Sequence, residues 1–195
     1  MRAGLLVVMA YLCGSLPTGA WVGRWAGVDV RRTGSGNIGA TNVARSVGAR
    51  PAVLTLTADV AKGFIPTLLG RALLTDPWSI ALVGLAAFFG HLFSLFLRFS
   101  GGKGVSTGFG VFLCLAPPAA GVALAVFAAV ALATGYASVA SMLAAATLPL
   151  ACAVLGYAPA VWALALVVCA AIVVRHRQNI SRLLQGTEPK FQVRR

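Results

Sequence analysis

Three polar segments rich in glycine, amides and cations interrupt a chain that is otherwise strongly apolar. They cover residues 34–45, 101–107 and 175–182, and they contain no acid. Backbone N–H groups exposed by glycine, amide and hydroxyl donors, and Lys or Arg charges are the groups that bind phosphate. If one face of the protein gathers the three segments, we expect a site there for anionic substrates.

The first segment combines backbone donors with a permanent charge. Its glycines, Gly36 among them, would turn N–H groups towards an anion, and a short helix is predicted over Ala40–Arg45. Ser35 and Asn37 add side-chain donors, and Arg45 supplies a planar donor fork suited to phosphate. A flexible loop with an arginine that sets membrane topology is the alternative interpretation.

The second segment begins at the end of one predicted helix and runs into the next. The N–H groups of Gly102, Lys103 and Gly104 are predicted to point towards an anion before the next helix, whose dipole also favours negative charge there. Lys103 brings a point charge, and Ser106 or Thr107 a hydroxyl. The Gly-Lys-Ser/Thr order of a nucleotide phosphate loop is absent. A helix cap with a topogenic lysine is the alternative.

The third segment follows the last apolar run. His176, Asn179 and Arg182 share one side if the preceding helix continues through them. Arg175 and Arg177 would point elsewhere, towards lipid headgroups. An ordinary helix end at the membrane surface is the alternative. The predicted phosphate-binding residues of the three segments are Ser35, Gly36, Asn37, Arg45, Gly101, Gly102, Lys103, Gly104 and Thr107.

Ionisable residues within the apolar runs are expected to be paired or to face a polar cavity, because they are costly in a membrane. Asp59 and Lys62 stand three residues apart, and His91 is predicted to be packed and hydrogen-bonded. The predicted supporting residues are Asn42, Asp59, Lys62, His91, Arg182 and Glu188. The four acids form no cluster and the four cysteines lack ligand spacing, so no metal and no cofactor is expected.

Composition places the chain in a membrane. Its 195 residues are 59% hydrophobic and 10% charged, with a mean hydropathy of +0.88. The net charge of +12 is attributed to topology and anionic headgroups, and no nucleic-acid partner is expected. We therefore predict one all-α, polytopic membrane domain over 1–195, with a retained first helix and polar active-site segments at 33–50, 98–107 and 175–190.

About seven transmembrane helices are predicted. They cover residues 3–23, 51–74, 78–97, 104–116, 117–134, 136–155 and 158–174. The stretch 104–134 is either two short helices meeting at Pro117 or one kinked helix. Seven crossings place 13 of the 16 cations on one side. The positive-inside rule then makes that side cytoplasmic, with the N-terminus outside and the C-terminus inside. Those cations are Arg24, Arg31, Arg32, Arg45, Arg50, Arg98, Lys103, Arg175, Arg177, Arg182, Lys190, Arg194 and Arg195.

Together the motifs resemble a known family, the acyl-phosphate-dependent glycerol-3-phosphate 1-O-acyltransferases of bacteria, called PlsY. The resemblance covers nearly the whole chain, and one departure is Ser94, where relatives often carry proline. The matching segments are Tyr11–Ser15, Gly34–Arg45, Asp59–Gly63, Gly90-His91, Gly101–Thr107, and Arg175–Arg182 followed by Glu188.

The resemblance implies a seven-helix inner-membrane enzyme. It would transfer an acyl group from acyl phosphate to glycerol 3-phosphate at the cytoplasmic surface, giving lysophosphatidate and inorganic phosphate. It implies functional roles for Ser35, Arg45, Gly102, Lys103, Gly104, His176 and Asn179, and a structural role for Glu188. The expected catalytic residues are therefore Ser35, Arg45, Lys103, His176 and Asn179.

Two other classes of function stay open at the level of sequence. One is a small carrier for phosphorylated metabolites, for which the intramembrane Asp59 and Lys62 would be suited. The other is a non-catalytic scaffold that binds anionic lipid. Membrane lipids are expected around the protein in every case, and no obligate protein partner is indicated.

Overall fold

The computed structural model describes residues 1–191, which form ten α-helices and one short 3-10 helix and contain no β-strand. The all-α, polytopic prediction is confirmed. The helices are α1 (Arg2–Ser15), α2 (Thr18–Trp25), α3 (Ala40–Ser46), α4 (Ala49–Leu73), α5 (Pro77–Leu92), the 3-10 helix Leu95–Leu97, α6 (Val105–Leu115), α7 (Pro117–Thr134), α8 (Ala137–Val154), α9 (Pro159–Arg175) and α10 (Arg177–Leu184).

Five helical segments are long and apolar enough to cross a bilayer, and a sixth joins them if α9 and α10, bent by 53°, count as one span. Helix α6 has 11 residues and is shorter than an ordinary span of about 20. Each of the seven predicted segments contains an apolar helix. The number of crossings and their direction stay predictions, and Arg194 and Arg195 lie outside the described residues.

The helix ends differ from the predicted ones at three places where a predicted helix is interrupted. The predicted helix 3–23 is two helices, because Pro17 has no N–H to continue the ladder after Leu16. Residues 104–134 form two helices, and Ala116 between them has non-helical torsions (φ −145°, ψ 65°). The predicted helix 78–97 ends at Leu92, and the Ser94 hydroxyl donates to the Ser15 carbonyl.

Small residues let the helices approach closely. Gly63 of α4 lies against the Thr107 carbonyl of α6, and Gly110 of α6 lies against the Val60 carbonyl of α4. Close backbone approach through glycine is typical of helix pairs in membranes. This packing fixes the start of α6, and therefore the preceding polar segment, beside α4.

The break between α1 and α2 is stabilised by polar groups from α4. The Leu16 carbonyl accepts from Lys62 Nζ at 2.9 Å, and Lys62 pairs with Asp59 Oδ1 at 2.8 Å. Thr18 Oγ1 donates to the same Asp59 oxygen at 2.5 Å. Both charged side chains are buried. The predicted pairing of Asp59 with Lys62 is confirmed, and the pair joins the first span to α4.

Removal of one member of this buried pair is expected to be strongly destabilising. Asp59→Asn leaves the Lys62 ammonium buried without its carboxylate, which costs about 3–5 kcal/mol in comparable sites. The thermal unfolding temperature, measured in detergent, should fall clearly in Asp59→Asn. It should return most of the way to the wild-type value in Asp59→Asn/Lys62→Met.

The exposed pair of Arg32 with Asp29, at 3.6 Å, offers the matched control. Asp29→Asn should leave the unfolding temperature almost unchanged, because exposed ion pairs contribute little. Equal effects of Asp59→Asn and Asp29→Asn would contradict a stabilising role for the buried pair.

Candidate active site

The three polar segments meet in one small cavity of about 190 Å³. The prediction that they share one face is confirmed. Each segment contributes to the wall, which is formed by Ser35, Gly36, Asn37, Gly101, Lys103, Arg175, Arg177, Gln178, Asn179 and Arg182.

Asn42 holds the first segment in shape. Its side-chain oxygen accepts from the Ser35 N–H at 2.9 Å, and its amide nitrogen reaches the carbonyls of Val30 and Asn37, each at 2.8 Å. The side-chain oxygen of Asn37 accepts from the Gly39 N–H at 2.8 Å, at the start of α3. The amide of Asn42 therefore fixes the loop that presents Ser35.

The second segment departs from the predicted anion-binding nest. The Gly101 N–H donates to the Leu92 carbonyl at 3.1 Å and the Gly102 N–H to the His91 carbonyl at 3.0 Å. Those two donors are thus occupied by the backbone of α5. Gly104 has φ +84° at the start of α6, a conformation that favours glycine.

Thr107 also lies elsewhere than predicted. Its side chain is fully buried on the face of α6 that packs against Gly63 of α4, and it does not line either cavity of the site. Ser106, one position earlier, faces a larger cavity described below. Helix packing, and not the spacing in the sequence, decides which of the two hydroxyls is available.

The third segment does not continue the preceding helix, which was the condition for His176, Asn179 and Arg182 to share one helix side. Helix α9 ends at Arg175 and α10 begins at Arg177, with the bend at His176. Arg175 turns inwards, away from the expected lipid contact, and donates to the carbonyls of Gly101 at 2.8 Å and Gly102 at 3.1 Å. Arg177 lines the small cavity. The structure therefore places two more cations at the site than the sequence predicted.

A hydrogen-bonded chain connects the second and third segments. Lys103 Nζ donates to Asn179 Oδ1 at 2.7 Å, and Asn179 Nδ2 donates to Glu188 Oε1 at 2.6 Å. Arg182 Nε pairs with the other Glu188 oxygen at 2.7 Å. The Ser138 hydroxyl of α8 completes the set by donating to Glu188 at 2.7 Å. Sequence reasoning missed Ser138, since an isolated serine in an apolar run carries no signal.

The residues that follow α10 are themselves anchored. The Phe191 N–H donates to the Gly135 carbonyl at 2.7 Å, in the turn between α7 and α8. Lys190 Nζ lies 5.8 Å from the centre of the Tyr136 ring, and Arg45 Nη2 reaches the Lys190 carbonyl at 3.4 Å. These contacts hold Glu188 over the site.

Burial sets the protonation of the two central basic groups, Lys103 in the turn before α6 and His176 at the bend between α9 and α10. Burial lowers the pKa of Lys103 to about 8, which Glu188 raises in part and Arg182 lowers further. Burial lowers the pKa of His176 to about 4, and Lys103 adds to the effect. At neutral pH the lysine is therefore mostly charged, whereas the histidine is neutral.

The neutral His176 has a defined tautomer. Its Nδ1 lies 2.8 Å from the Ile172 carbonyl, which can only accept, so Nδ1 carries the proton. The Nε2 atom is then a hydrogen-bond acceptor. Glu188 stays ionised: burial alone would raise its pKa, but the donors Ser138, Asn179 and Arg182 lower the pKa overall.

A larger cavity of about 560 Å³ adjoins the small one. Its far walls are apolar and include Leu56 of α4, Phe127 of α7 and Leu148 of α8. Its polar end is lined by residues of the three segments, namely Ser35, Asn37, Arg45, Lys103, His176, Asn179, Arg182 and Glu188. A long apolar group could occupy this cavity while its polar end reached the cations.

No three side chains among His, Cys, Asp and Glu come close enough in residues 1–191 to hold a metal ion. Asp59 and His91 also border the large cavity, but Asp59 is engaged by Lys62 and Thr18. The chemistry available here is that of fixed cations, amide and hydroxyl donors, and one neutral imidazole.

Residues 4–186 match the family described as glycerol-3-phosphate acyltransferase. The chain belongs to this family. It is therefore an enzyme, as the sequence resemblance predicted. Similar relatives include the glycerol-3-phosphate acyltransferases of Geobacter sulfurreducens, 47% identical over 188 residues that cover 96% of each chain, and Rubrobacter xylanophilus, 50% identical over 96% of this chain and 94% of the relative.

Two solved structures of the integral membrane glycerol 3-phosphate acyltransferase PlsY are also similar. The glycerol 3-phosphate form superposes with a TM-score of 0.95 at 41% identity, and the alignment covers 98% of this chain and 96% of the other. The lysophosphatidic acid form gives a TM-score of 0.92 at 40% identity with the same coverage. The acyltransferase is accordingly an integral membrane protein with several spans.

The pKa of Lys103 predicts how activity depends on pH. The ammonium is charged below a pH of about 8 and neutral above it. We expect kcat/KM for a phosphorylated acceptor to fall towards tenfold per pH unit above pH 8, since kcat/KM follows the free enzyme. Lys103→Arg, which keeps its charge, should shift that fall to higher pH even if its maximal rate is lower. Identical profiles for the two proteins would contradict the assignment to Lys103.

Proposed function

We propose that the enzyme transfers a fatty acyl group from acyl phosphate to the 1-hydroxyl of sn-glycerol 3-phosphate, giving lysophosphatidate and inorganic phosphate. The observation that carries this proposal is the junction of the two cavities. A small cationic cavity suits a soluble phosphate ester, and an adjoining apolar cavity suits an acyl chain. Lys103 and Asn179 line both.

The related structures support the identity of the acceptor and the product. One is the glycerol 3-phosphate form of that enzyme, and the other is its lysophosphatidic acid form. If this chain binds the same acceptor, we expect the acceptor phosphate to lie among Lys103, Arg177 and Arg182, which line the small cavity. The acyl chain would extend along the apolar walls, past Phe127 towards Leu148.

The proposed reaction is an acyl transfer without a protein nucleophile. The 1-hydroxyl oxygen attacks the acyl carbonyl carbon, the bond from that carbon to the phosphate oxygen breaks, and inorganic phosphate leaves. A phosphate oxygen of the substrate accepts the hydroxyl proton, so no strong base is required of the protein. The protein contributes orientation and a fixed positive field around the developing charge.

The absence of a familiar acid–base pair in the sequence agrees with this route. The His-x₄-Asp pair of the other acyltransferase class is missing, because neither His91 nor His176 is followed by aspartate at that spacing. The neutral His176 can accept a hydrogen bond at Nε2, and Ser35 and Asn179 can orient oxygen atoms. These three side chains are proposed to align the acceptor hydroxyl with the donor carbonyl.

We place the site at the cytoplasmic face of a bacterial inner membrane. Most of the cations of the chain belong to the polar segments 33–50, 98–107 and 175–190 and to the loop after α2, and Lys103, Arg175, Arg177 and Arg182 line the small cavity. A cytoplasmic position of this site agrees with the positive-inside rule. Glycerol 3-phosphate and the acyl donor would meet there at the boundary of water and lipid.

A carrier for phosphorylated metabolites was an alternative at the level of sequence, and membership of an acyltransferase family argues against it. A carrier needs a site near the middle of the membrane that opens to both sides. The intramembrane Asp59 and Lys62, which suggested it, are bonded to each other and to the α1–α2 break. Purified protein supplied with palmitoyl phosphate and labelled glycerol 3-phosphate forms labelled lysophosphatidate only if it is the proposed enzyme. A carrier or a lipid-binding scaffold forms none.

The donor provides a direct prediction. Acyl phosphate should support acylation in this assay, whereas acyl-CoA and acyl-carrier protein at equal concentration should not. Full activity is also expected in EDTA, because the residues of the site supply the positive charge themselves. Comparable rates with acyl-CoA would overturn the proposed donor, and inhibition by EDTA that added metal reverses would overturn the metal-free route.

Two cations should be distinguishable from the rest. Arg45→Ala and Lys103→Ala each remove a charged donor from a partly dry site, so kcat/KM should fall about 10- to 100-fold. Arg31, exposed in the same loop region, is the matched control, and Arg31→Ala should be nearly silent. An equal loss in all three variants would mean that the cations act collectively at the membrane surface and that the site is wrongly placed.

A further inference from the structure

The glycine turn that precedes Lys103 lies directly on His91, near the end of α5. Besides the two backbone hydrogen bonds to the carbonyls of His91 and Leu92, the imidazole itself contacts Gly102. A Cβ at Gly102 would overlap Nε2 of His91 and would lie 3.0 Å from Cε1. The ring thus fills the space that any side chain at position 102 would need.

On another side, His91 lies beside the buried pair of Asp59 and Lys62. The residue is 4% exposed, and its Nδ1 lies 3.8 Å from the Asp59 oxygen that pairs with Lys62. That distance is too long for a hydrogen bond, and Nδ1 has no partner within residues 1–191. The ring is therefore placed by packing between the buried ion pair and the glycine turn.

The opposite side of the turn is held by Arg175. The guanidinium donates to the carbonyls of Gly101 and Gly102, and it also lies 5.7 Å from the centre of the Phe93 ring. The turn is fixed between an imidazole on one side and a guanidinium on the other. The next residue is Lys103, whose ammonium must reach Asn179 Oδ1 and the two cavities.

We propose that His91 is a positioning residue of the acyltransferase site, whose ring sets the path of Gly101–Gly102 and thereby places the Lys103 ammonium. Glycine is required at position 102 because the imidazole occupies the place of a side chain, and not because a phosphate approaches the backbone there. The proposal rests on the proposed function only for its activity measurement.

The two explanations for the glycine at position 102 predict different activities for the double variant His91→Ala/Gly102→Ala. If a phosphate must approach the backbone, the methyl group of Gly102→Ala is harmful whatever stands at position 91. If the ring is the obstacle, removing the ring makes room for the methyl group. A double-variant cycle measures this coupling directly.

The experiment compares Gly102→Ala, His91→Ala and the double variant by kcat and by KM for both substrates. Gly102→Ala should lose at least about tenfold in kcat/KM for glycerol 3-phosphate, and the double variant should return to within about threefold of His91→Ala, as strong coupling between contacting residues implies. A double variant that is as impaired as Gly102→Ala, or worse, overturns the proposal. The decisive comparison is between the double variant and His91→Ala. The test therefore remains valid even if Gly102→Ala alone fails to fold.

Gly104→Ala is the matched control. Its Cβ would overlap Phe88 and Leu92, and not His91, and its φ of +84° disfavours alanine. His91→Ala should leave the defect of Gly104→Ala unchanged, so rescue of both glycine variants would indicate general loosening of α5 and would overturn the proposal.

A second substitution and a second readout keep the test independent of the proposed reaction. His91→Asn repeats the cycle with a smaller side chain if His91→Ala does not fold. Glycerol 3-phosphate binding by calorimetry, without any donor, should show the same recovery in the double variant. A wild-type enzyme that is inactive with acyl phosphate contradicts the proposed function, whereas loss of recovery in the binding cycle contradicts the positioning role alone.

Discussion

The site depends on one electrostatic constraint: several cations are held together beside apolar helices, and a single carboxylate bonds to the side chains of the polar segments. Glu188 is that carboxylate among the described residues, and it is bonded to Asn179, Arg182 and Ser138. One negative charge cannot neutralise Lys103, Arg45, Arg175 and Arg182, so the lining of the site has a net positive charge. Burial is the main cause of the lowered pKa of Lys103, and the nearby Arg182, Arg45 and Arg175 lower the pKa further. A substrate phosphate would relieve the repulsion among these cations.

Breaks in the helices supply the polar surroundings that this charge requires. Backbone groups left without helical partners at depth in a membrane must be satisfied by other parts of the protein. The break after Leu16 takes its donors from Thr18 and Lys62, and the turn at Gly101 takes its donor from Arg175. The bend at His176 turns Asn179 towards Lys103. The same irregularities that interrupt the spans therefore position the functional side chains.

Much of this could be predicted from sequence because membrane helices and phosphate-binding groups have strong local signatures. The apolar runs predicted the helices, and the unusual polarity of three segments predicted that Ser35, Lys103 and Asn179 would meet. The inward turn of Arg175, the burial of Thr107 and the role of Ser138 could not be predicted, since each depends on which helices pack together. The break at Pro17 could have been predicted, since proline interrupts helices. It was not predicted because apolar residues on both sides favoured one continuous helix.

Equilibrium binding of sn-glycerol 3-phosphate to the purified enzyme, measured by calorimetry in the absence of any acyl donor, tests the central claim most directly. The claim is that the surplus charge around Lys103 exists to hold a substrate phosphate. The account predicts saturable binding of glycerol 3-phosphate, no measurable binding of glycerol, and an affinity at least about tenfold weaker in Lys103→Gln. Equal affinity of the wild type and Lys103→Gln would contradict it.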